Sequence, residues 1–448
     1  MTPRGVSDPL ASSQAAVPGR RNMPDSSRTW ESARVGGLLG LAFALLVAAC
    51  STPQASPIGG EVRVLGSWEE GPELDAFRAV VAPFEQRTGY HVEYSATRDL
   101  QRYLETSLKS GTVPDVAGLP GPGYMVEFAR AGASVDLTKV IDVGIYKRDT
   151  APAFVDLGTV DGRLAGVFIK ATVKSLIWYN PDVYRFGQPS SWSDLLHAAL
   201  TTADTIRPWC VGLGSGASSG WPGTDWVEDF VLRQSGPDSY DAWVAGQLKW
   251  SSPQIRRAFL AYGAVVADGA VMGGRNEAVR THFSKVGDGL FTSPPGCLLM
   301  HQGSFITTYL DDAVKRLGGS YDFLPFPPID VRYEDSLVGA GDLFALLKDS
   351  PGGRELIRYL VTGEAQSIWV RRGGALSGNM TVTGYPDSVT RREAQLLASA
   401  KVFRFDASDT MPDAMNTAFW QAVLDFTDNP SQLDSILAKL DAVQASSY

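Results

Sequence analysis

The sequence predicts an α/β fold built on a parallel sheet and divided into two lobes. Three observations carry this. Between Val62 and Ala117, short apolar runs alternate with amphipathic helical stretches, which is the pattern of βαβ units. A second set of helical periodicities follows the apolar run at residues 176–180. The chain has 448 residues, more than one hydrophobic core accommodates.

The elements follow in order. Val62-Arg63-Val64-Leu65 reads as a strand and residues 66–72 as a loop. A helix from Glu73 places Phe77, Val80, Val81 and Phe84 on one face, with Pro83 expected to kink it. His91-Val92-Glu93-Tyr94 is the next strand, followed by a helix with Leu100, Tyr103, Leu104 and Leu108 at helical spacing. Asp115-Val116-Ala117 is a third strand, ending in the Pro120-Gly121-Pro122-Gly123 loop. Ligands of such sheets sit beyond the carboxyl ends of the strands, where Trp68, Glu69, Glu70 and residues 115–121 are expected. Further helices are read at 192–199, at 225–233, after Pro253, around Leu356 and around Leu433. The run 337–347 is expected to turn through Gly339 and Gly341 into another buried strand.

The amino terminus reads as a targeting segment. Residues 1–34 are polar and aperiodic, and residues 35–49 form an apolar run of signal-peptide length, too short to span a bilayer. The run ends Ala48-Ala49-Cys50, and residues 50–60 are a polar tether rich in Ser and Pro. Small residues before Cys50 resemble the lipobox of bacterial lipoproteins, which implies lipidation of Cys50 and a mature protein anchored to the outer face of the cytoplasmic membrane. Met23 offers an alternative start, and Arg20-Arg21 lies far from the apolar run for a twin-arginine signal. In an exported protein the remaining pair, Cys210 and Cys297, reads as one disulfide. His91, His197, His282 and His301 show no ligand spacing, so neither a metal nor another cofactor is expected. The net charge of -9 and pI near 5.1 disfavour a nucleic-acid partner.

The most informative stretch runs from Pro208 to Trp226. A short apolar run leads into a loop rich in Gly and Ser, then Trp221, then Asp225 as the expected cap of a helix. Indole faces pack on the C–H face of a sugar ring, and a carboxylate accepts hydrogen bonds from its hydroxyls. Trp226, on a helix face, reads as core, whereas Trp221, in the loop, reads as a cleft residue.

Several segments in order resemble one family. They are Val64-Leu65-Gly66-Ser67-Trp68, Gly111-Thr112-Val113-Pro114-Asp115-Val116, residues 174–181, Pro208-Trp209-Cys210, and residues 220–226. Pro295-Gly296-Cys297, Gly303-Ser304-Phe305, Gly339-Ala340-Gly341-Asp342 and residues 403–409 complete the set. Together with the lipobox they are similar to the solute-binding proteins of carbohydrate ABC importers, most of all the α-glucoside-binding branch. The resemblance implies a two-lobed, periplasmic-binding-protein-like fold with hinge strands and a ligand cleft. Lobe one would comprise residues 61–176 and 324–376, and lobe two residues 177–323 and 377–448, with 178–180 as a crossover and Cys210–Cys297 bridged within lobe two. Carried over by position, the cleft residues are Trp68, Glu69, Glu70, Asp115, Trp221, Asp225, Gln302, Ser304, Gly339, Asp342, Arg372 and Gly374. The stretch Met300-His301-Gln302-Gly303 departs from the pattern. The implied protein is a monomeric receptor without catalytic activity, and its partners are a neutral di- or oligosaccharide and membrane permease subunits.

Other chemistries fit less well. Gly216-Ala217-Ser218-Ser219-Gly220 matches the G-x-S-x-G nucleophile elbow, but a loop rather than a helix is expected after Ser218, and no His lies near the end of the chain. Gly212, Gly214 and Ala217 form a weak dinucleotide pattern with no helix opening from it. A glycoside hydrolase would need two carboxyls facing each other across the bond, for which Glu69 or Glu70 opposite Asp225 or Asp342 are the candidates. Arg371-Arg372 is the feature that favours a binder of phosphorylated polyols such as glycerophosphodiesters.

Overall fold

The computed structural model describes residues 59–448. The expected signal segment 1–49, the expected lipidation site Cys50 and most of the expected 50–60 tether lie outside the described residues. Among those described, no helix is long and apolar enough to cross a membrane.

The alternation of strands and helices produces the parallel core of a first sheet. Strand β1 (Glu61–Gly66) pairs in parallel with β2 (His91–Ala96) on one side and β3 (Val116–Leu119) on the other. Helices Pro72–Thr88 and Leu100–Ser110 make the crossovers. The first helix runs on through Pro83 rather than ending there. Burial of Phe77, Val80, Val81 and Phe84 against the sheet outweighs the missing hydrogen bond. After a small hairpin, β4 (Thr159–Val160) with β5 (Arg163–Leu164), comes β6 (Val167–Val173), buried along its whole length.

The chain then changes sheets. Lys174 and Ser175 link β6 to β7 (Leu176–Tyr179), the start of a second sheet in the order β10-β7-β9-β8. Strands β8 (Arg207–Trp209) and β9 (Cys297–His301) run parallel, and β10 (Asp322–Pro325) closes the other edge. Cys210 and Cys297 form a disulfide, with Cα atoms 5.3 Å apart, tying the end of β8 to the start of β9. Around this sheet, Trp192, Trp209, Trp226, Trp243 and Trp250 join the apolar faces of helices Trp221–Ser235, Pro253–Val265 and Asp413–Asp428.

Strand β11 (Ser336–Leu346) returns to the first sheet, and it does not turn at its glycines. It runs straight through Gly339 and Gly341 because β6 lies too close for a side chain. A Cβ on Gly341 would sit 2.4 Å from the Lys170 carbonyl oxygen. One edge of β11 pairs with β6. On its other edge, β12 (Val402–Phe405) pairs with residues 336–339 and β3 pairs with residues 343–346. The stretch 402–405 therefore contributes a strand to the first sheet, while the helices after it pack against the second.

The disulfide closes a loop with a sequence separation of 87, which restricts the unfolded chain by about 4 kcal/mol on the entropic account. A Cys210→Ser, Cys297→Ser variant of residues 51–448 should lose about 2–4 kcal/mol of unfolding free energy. Denaturant unfolding checks this, and an unchanged midpoint would show that the bridge does not limit stability.

Candidate ligand-binding site

The topology leaves one gap in the first sheet. Strands β12 and β3 approach each other end to end along one edge of β11, and both carboxyl ends stop beside Ala340, Gly341 and Asp342. A cavity with an empty volume of about 830 Å³ opens there. Trp68, Arg98 and Pro120, which follow β1, β2 and β3, reach it from the first sheet, and Asp406, Ser408 and Asp409 follow β12 into it. This is the place the parallel-sheet rule assigns to a ligand. Trp221, Phe283, Phe305, Ser218 and Trp420 form the opposing wall.

Strand β6 and the first residue of the link after it supply the floor. Lys170, Thr172 and Lys174 lie two residues apart and all line the cavity, as the strand period requires. Both lysines are buried, and each is held by two carboxylates. Lys170 Nζ lies 2.5 Å from Glu73 Oε1 and 3.4 Å from Asp342 Oδ2. Lys174 Nζ lies 2.9 Å from Asp225 Oδ2 and 3.1 Å from Asp406 Oδ2. Burial works against both ammonium charges, yet the facing carboxylates win and hold each lysine above its ordinary pKa.

Lys174 cannot neutralise every acid around it. Burial pushes Asp225 up to about 8 in spite of Lys174, and burial beside Asp406 drives Glu228 and Asp409 well above the carboxylate range. Asp406 is the exception. Burial would raise it too, but Lys174, the Ser408 hydroxyl and the Asp409 amide keep it below its usual value. Glu228 itself accepts from the Ala407 and Ser408 amides, which fixes the loop after β12 against helix Trp221–Ser235.

Of the residues expected at the cleft, Trp68, Trp221 and Asp342 line the cavity, and Asp225 lies directly behind Lys174. Trp68 is packed among Phe77, Tyr94, Phe344 and Trp369, with centroids 4.8–6.4 Å away, so it serves as wall more than as a free stacking face. Trp221 is half-buried, set edge-on to Phe283 at 5.1 Å, with Lys174 Nζ 4.7 Å from its ring centroid. Its helix begins earlier than expected. Gly220 at φ 109 precedes it, Pro222 occupies the first turn, and Asp225 is an interior residue rather than the cap. A Cβ at Gly220 would strike the Trp420 carbonyl oxygen at 2.4 Å, so glycine permits this close entry.

The remaining candidates fall elsewhere. Glu69 and Glu70 are exposed outside the cavity, with Glu69 accepting from the Arg98 amide. Asp115 precedes β3, so it sits at the amino end of the strand, where its carboxylate accepts from the Arg63 amide. Gln302 and Ser304 are buried near the crossover. The Gln302 carbonyl accepts from Trp178 Nε1, and Ser304 Oγ accepts from the Val173 amide. Gly339 is paired on both edges, Gly374 packs on Thr308, and Arg372 is exposed at the end of helix Gly363–Arg372. His301, in the divergent stretch, faces Trp226 and Asp229 rather than the cavity.

Lys170, Lys174, Glu73, Arg98, Asp406, Asp409 and Trp420 were missed. The available signal was Lys170 inside the largely apolar strand Val167–Val173 with Lys174 just beyond its end at even spacing, because a buried lysine requires partners.

A family model described as bacterial extracellular solute-binding protein matches residues 69–367. This chain belongs to that family. It is similar to the osmoprotective compounds-binding protein GgtB of Synechocystis sp., at 35% identity over 80% of this chain and 86% of that one. It is 33% identical to the alpha-glucosides-binding periplasmic protein AglE of Rhizobium meliloti over 84% of this chain and 85% of the relative. Among solved structures, a chitin oligosaccharide binding protein superposes with a TM-score of 0.75 at 17% identity, covering 87% of this chain and 99% of that one. The two-sheet α/β architecture of this solute-binding protein is thus the family fold.

Two outcomes are expected of the buried charges. Lys174→Met should destabilise the protein by about 3–5 kcal/mol, because it strands buried carboxylates, and denaturant unfolding measures this. A second test concerns Asp413, close to Tyr124 and Glu127, which burial and the Glu127 charge push up to about 7. The folded state therefore keeps a proton that the unfolded state releases from about pH 4 upward, so Asp413 lowers stability as pH rises toward 7. Relative to wild type, Asp413→Asn should gain thermal stability between pH 4 and 7 and change no further above that range. A pH-independent difference would contradict the assignment.

Proposed function

We propose that this protein is the substrate-binding component of an ABC importer, capturing a neutral di- or oligosaccharide of the α-glucoside class and delivering it to membrane permease subunits. The observation that carries this is the charge balance of the cavity. Lys170 and Lys174 are each already held by two acidic side chains. An anionic ligand such as a phosphodiester would have to displace one of those pairings to reach either ammonium. An uncharged polyol meets fixed acceptors, ammonium donors and aromatic walls, the combination that suits a sugar. The name of AglE, an alpha-glucosides-binding periplasmic protein, supports the same class. Hydrolysis is disfavoured because Glu69 and Glu70 lie outside the cavity, while Asp225 and Asp342 are held by lysines.

On this reading the sugar packs on Trp221 and hydrogen-bonds to Asp342, Asp406 and Asp409. Residues 61–176 with 324–376 form the bulk of one lobe and residues 177–323 with 377–448 that of the other, with strand 402–405 adding to the first sheet and residues 324–325 to the second. Ligand contacts to both lobes favour the closed form that a permease recognises. The receptor acts as a monomer without a cofactor, held at the membrane by lipid on Cys50.

The test is a thermal-shift panel on residues 51–448 with glucose, maltose, trehalose, sucrose, longer α-glucans and glycerophosphodiesters, with the sugars recovered by chromatography. A selective rise with α-glucosides, returned intact, is the expected result. Cleaved sugar, or a rise with the phosphodiesters alone, would overturn the reading. Trp221→Ala should weaken the binding of the best sugar by about 2 kcal/mol or more by calorimetry, and an unchanged affinity would remove Trp221 from the site.

A further inference from the structure

Helix Pro122–Arg130, which follows β3 in the first proposed lobe, packs against residues 407–413 of the second. Two glycines permit the approach. A Cβ on Gly121 would lie 2.4 Å from Asp409 Cβ, and one on Gly123 would lie 2.4 Å from the Met411 carbonyl oxygen. Residues 407–413 are fastened to the second lobe. Glu228 takes the Ala407 and Ser408 amides, and Ala407, Met411 and Met415 belong to the core around the second sheet. Rotation of one lobe on the other must therefore part or shear this contact.

Two acids meet here. The Asp413 amide donates to Glu127 Oε1 at 3.0 Å, and Asp413 is only 7% exposed. No cation answers its carboxyl. Arg98 and Arg102 line the chamber beside it, but among the described residues neither pairs with it, and Arg102 is held by Asp99 at 3.1 Å. The other ionisable groups that face Asp413 are Tyr124 on the same helix as Glu127, Glu105 on helix Leu100–Ser110 and Asp99 just before that helix, while Asp409 acts on Tyr124. An ionised Asp413 would be a buried charge without an ion-pair partner beside three other acids, which is costly. Burial, then the Glu127 charge, push it up to about 7, with the Tyr124 hydroxyl working against them.

We infer that Asp413 and Glu127 form a proton-gated latch between the lobes, so that closure on a solute takes up a proton and capture weakens as pH rises toward neutrality. Closed, the latch buries a protonated Asp413 against Glu127. Opened, it exposes Asp413 to water, where the carboxyl releases its proton. Closure is thus favoured at low pH and loses that support between about pH 4, the ordinary carboxylate value, and about pH 7. The inference rests on the importer reading and the lobe division above, and adds a control that neither contains.

Maltose, trehalose, sucrose and maltotriose would each be titrated by calorimetry into wild type, Asp413→Asn and Glu127→Gln at pH 5, 6, 7 and 8. The cavity acids titrate as well, so the readout is the affinity of wild type divided by that of Asp413→Asn, in which position 413 stays neutral. For a sugar that binds, this ratio should fall by at least about fivefold between pH 5 and pH 7, and by no more than about twofold from pH 7 to pH 8. Glu127→Gln should shrink the fall to under about threefold. A ratio constant with pH, or a fall that Glu127→Gln leaves at full size, would overturn the latch and leave the sugar reading intact. Small-angle scattering of the sugar-free protein gives a second readout. Wild type should be more expanded at pH 8 than at pH 5, and Asp413→Asn equally compact at both. Equal dimensions of wild type at the two pH values would overturn the latch. Absence of binding by all four sugars would overturn the sugar reading, and the scattering comparison would then still decide the latch.

Discussion

The contact on which the rest of this structure depends is Lys174 held between Asp225 and Asp406. These three residues come from the link between the two sheets, from the second turn of helix Trp221–Ser235 and from the loop after β12. No local hydrogen bond could join segments so far apart in sequence. A buried ammonium is tolerated only when its charge is answered, so folding must bring both carboxylates to it. That requirement fixes where the first sheet hands the chain to the second, and it fixes the wall on which Trp221 stands. The neighbouring residue reinforces the junction. Ser175 Oγ donates to Asp229 and accepts from the Val338 amide, joining the crossover to the same helix and to β11.

Lys170 repeats the arrangement two pleats away, with Glu73 and Asp342 as its partners. The repetition follows from strand geometry. Alternate residues of β6 face one side, and that side is the gap where β12 and β3 fail to meet. Closing the gap would remove the cavity, whereas widening it would expose the ion pairs to water and weaken them. The cavity is therefore a consequence of sheet topology, and the charged floor makes it habitable for polar groups.

Much of the fold was legible because it rests on periodicity. The alternation of strands and helices, the second helical set and the pairing of the two cysteines all appear in the structure. The site was less legible, for two physical reasons. Proximity to a strand end was read without regard to direction, which placed Asp115 at the cleft although it begins β3 rather than following it. In the sequence, acids in a loop such as Glu69 and Glu70 look available to a ligand, whereas nothing local shows that Lys170 and Lys174 are buried and paired. Glycines misled in a third way. Gly339 and Gly341 read as a turn, but they mark close approach between paired strands, a demand that only the neighbouring backbone reveals. Trp226 and Trp221, five positions apart, differ in surroundings: one is fixed in the core beside Trp192 and Trp209, and the other lines the cavity.

The placement of Lys174 also bears on how capture of a solute becomes a signal. It belongs at once to the cavity lining and to the link between the sheets. A ligand hydroxyl that accepts from its ammonium, or donates to Asp406, acts directly on the segment about which two lobes would rotate. Contacts remote from the link could stabilise one lobe without biasing their relative orientation. Contacts at the link cannot, because on the proposed division Lys174 belongs to one lobe and its partners Asp225 and Asp406 to the other. On the proposed reading, then, the ion pair is both the support of the empty site and the element whose geometry a bound sugar would select.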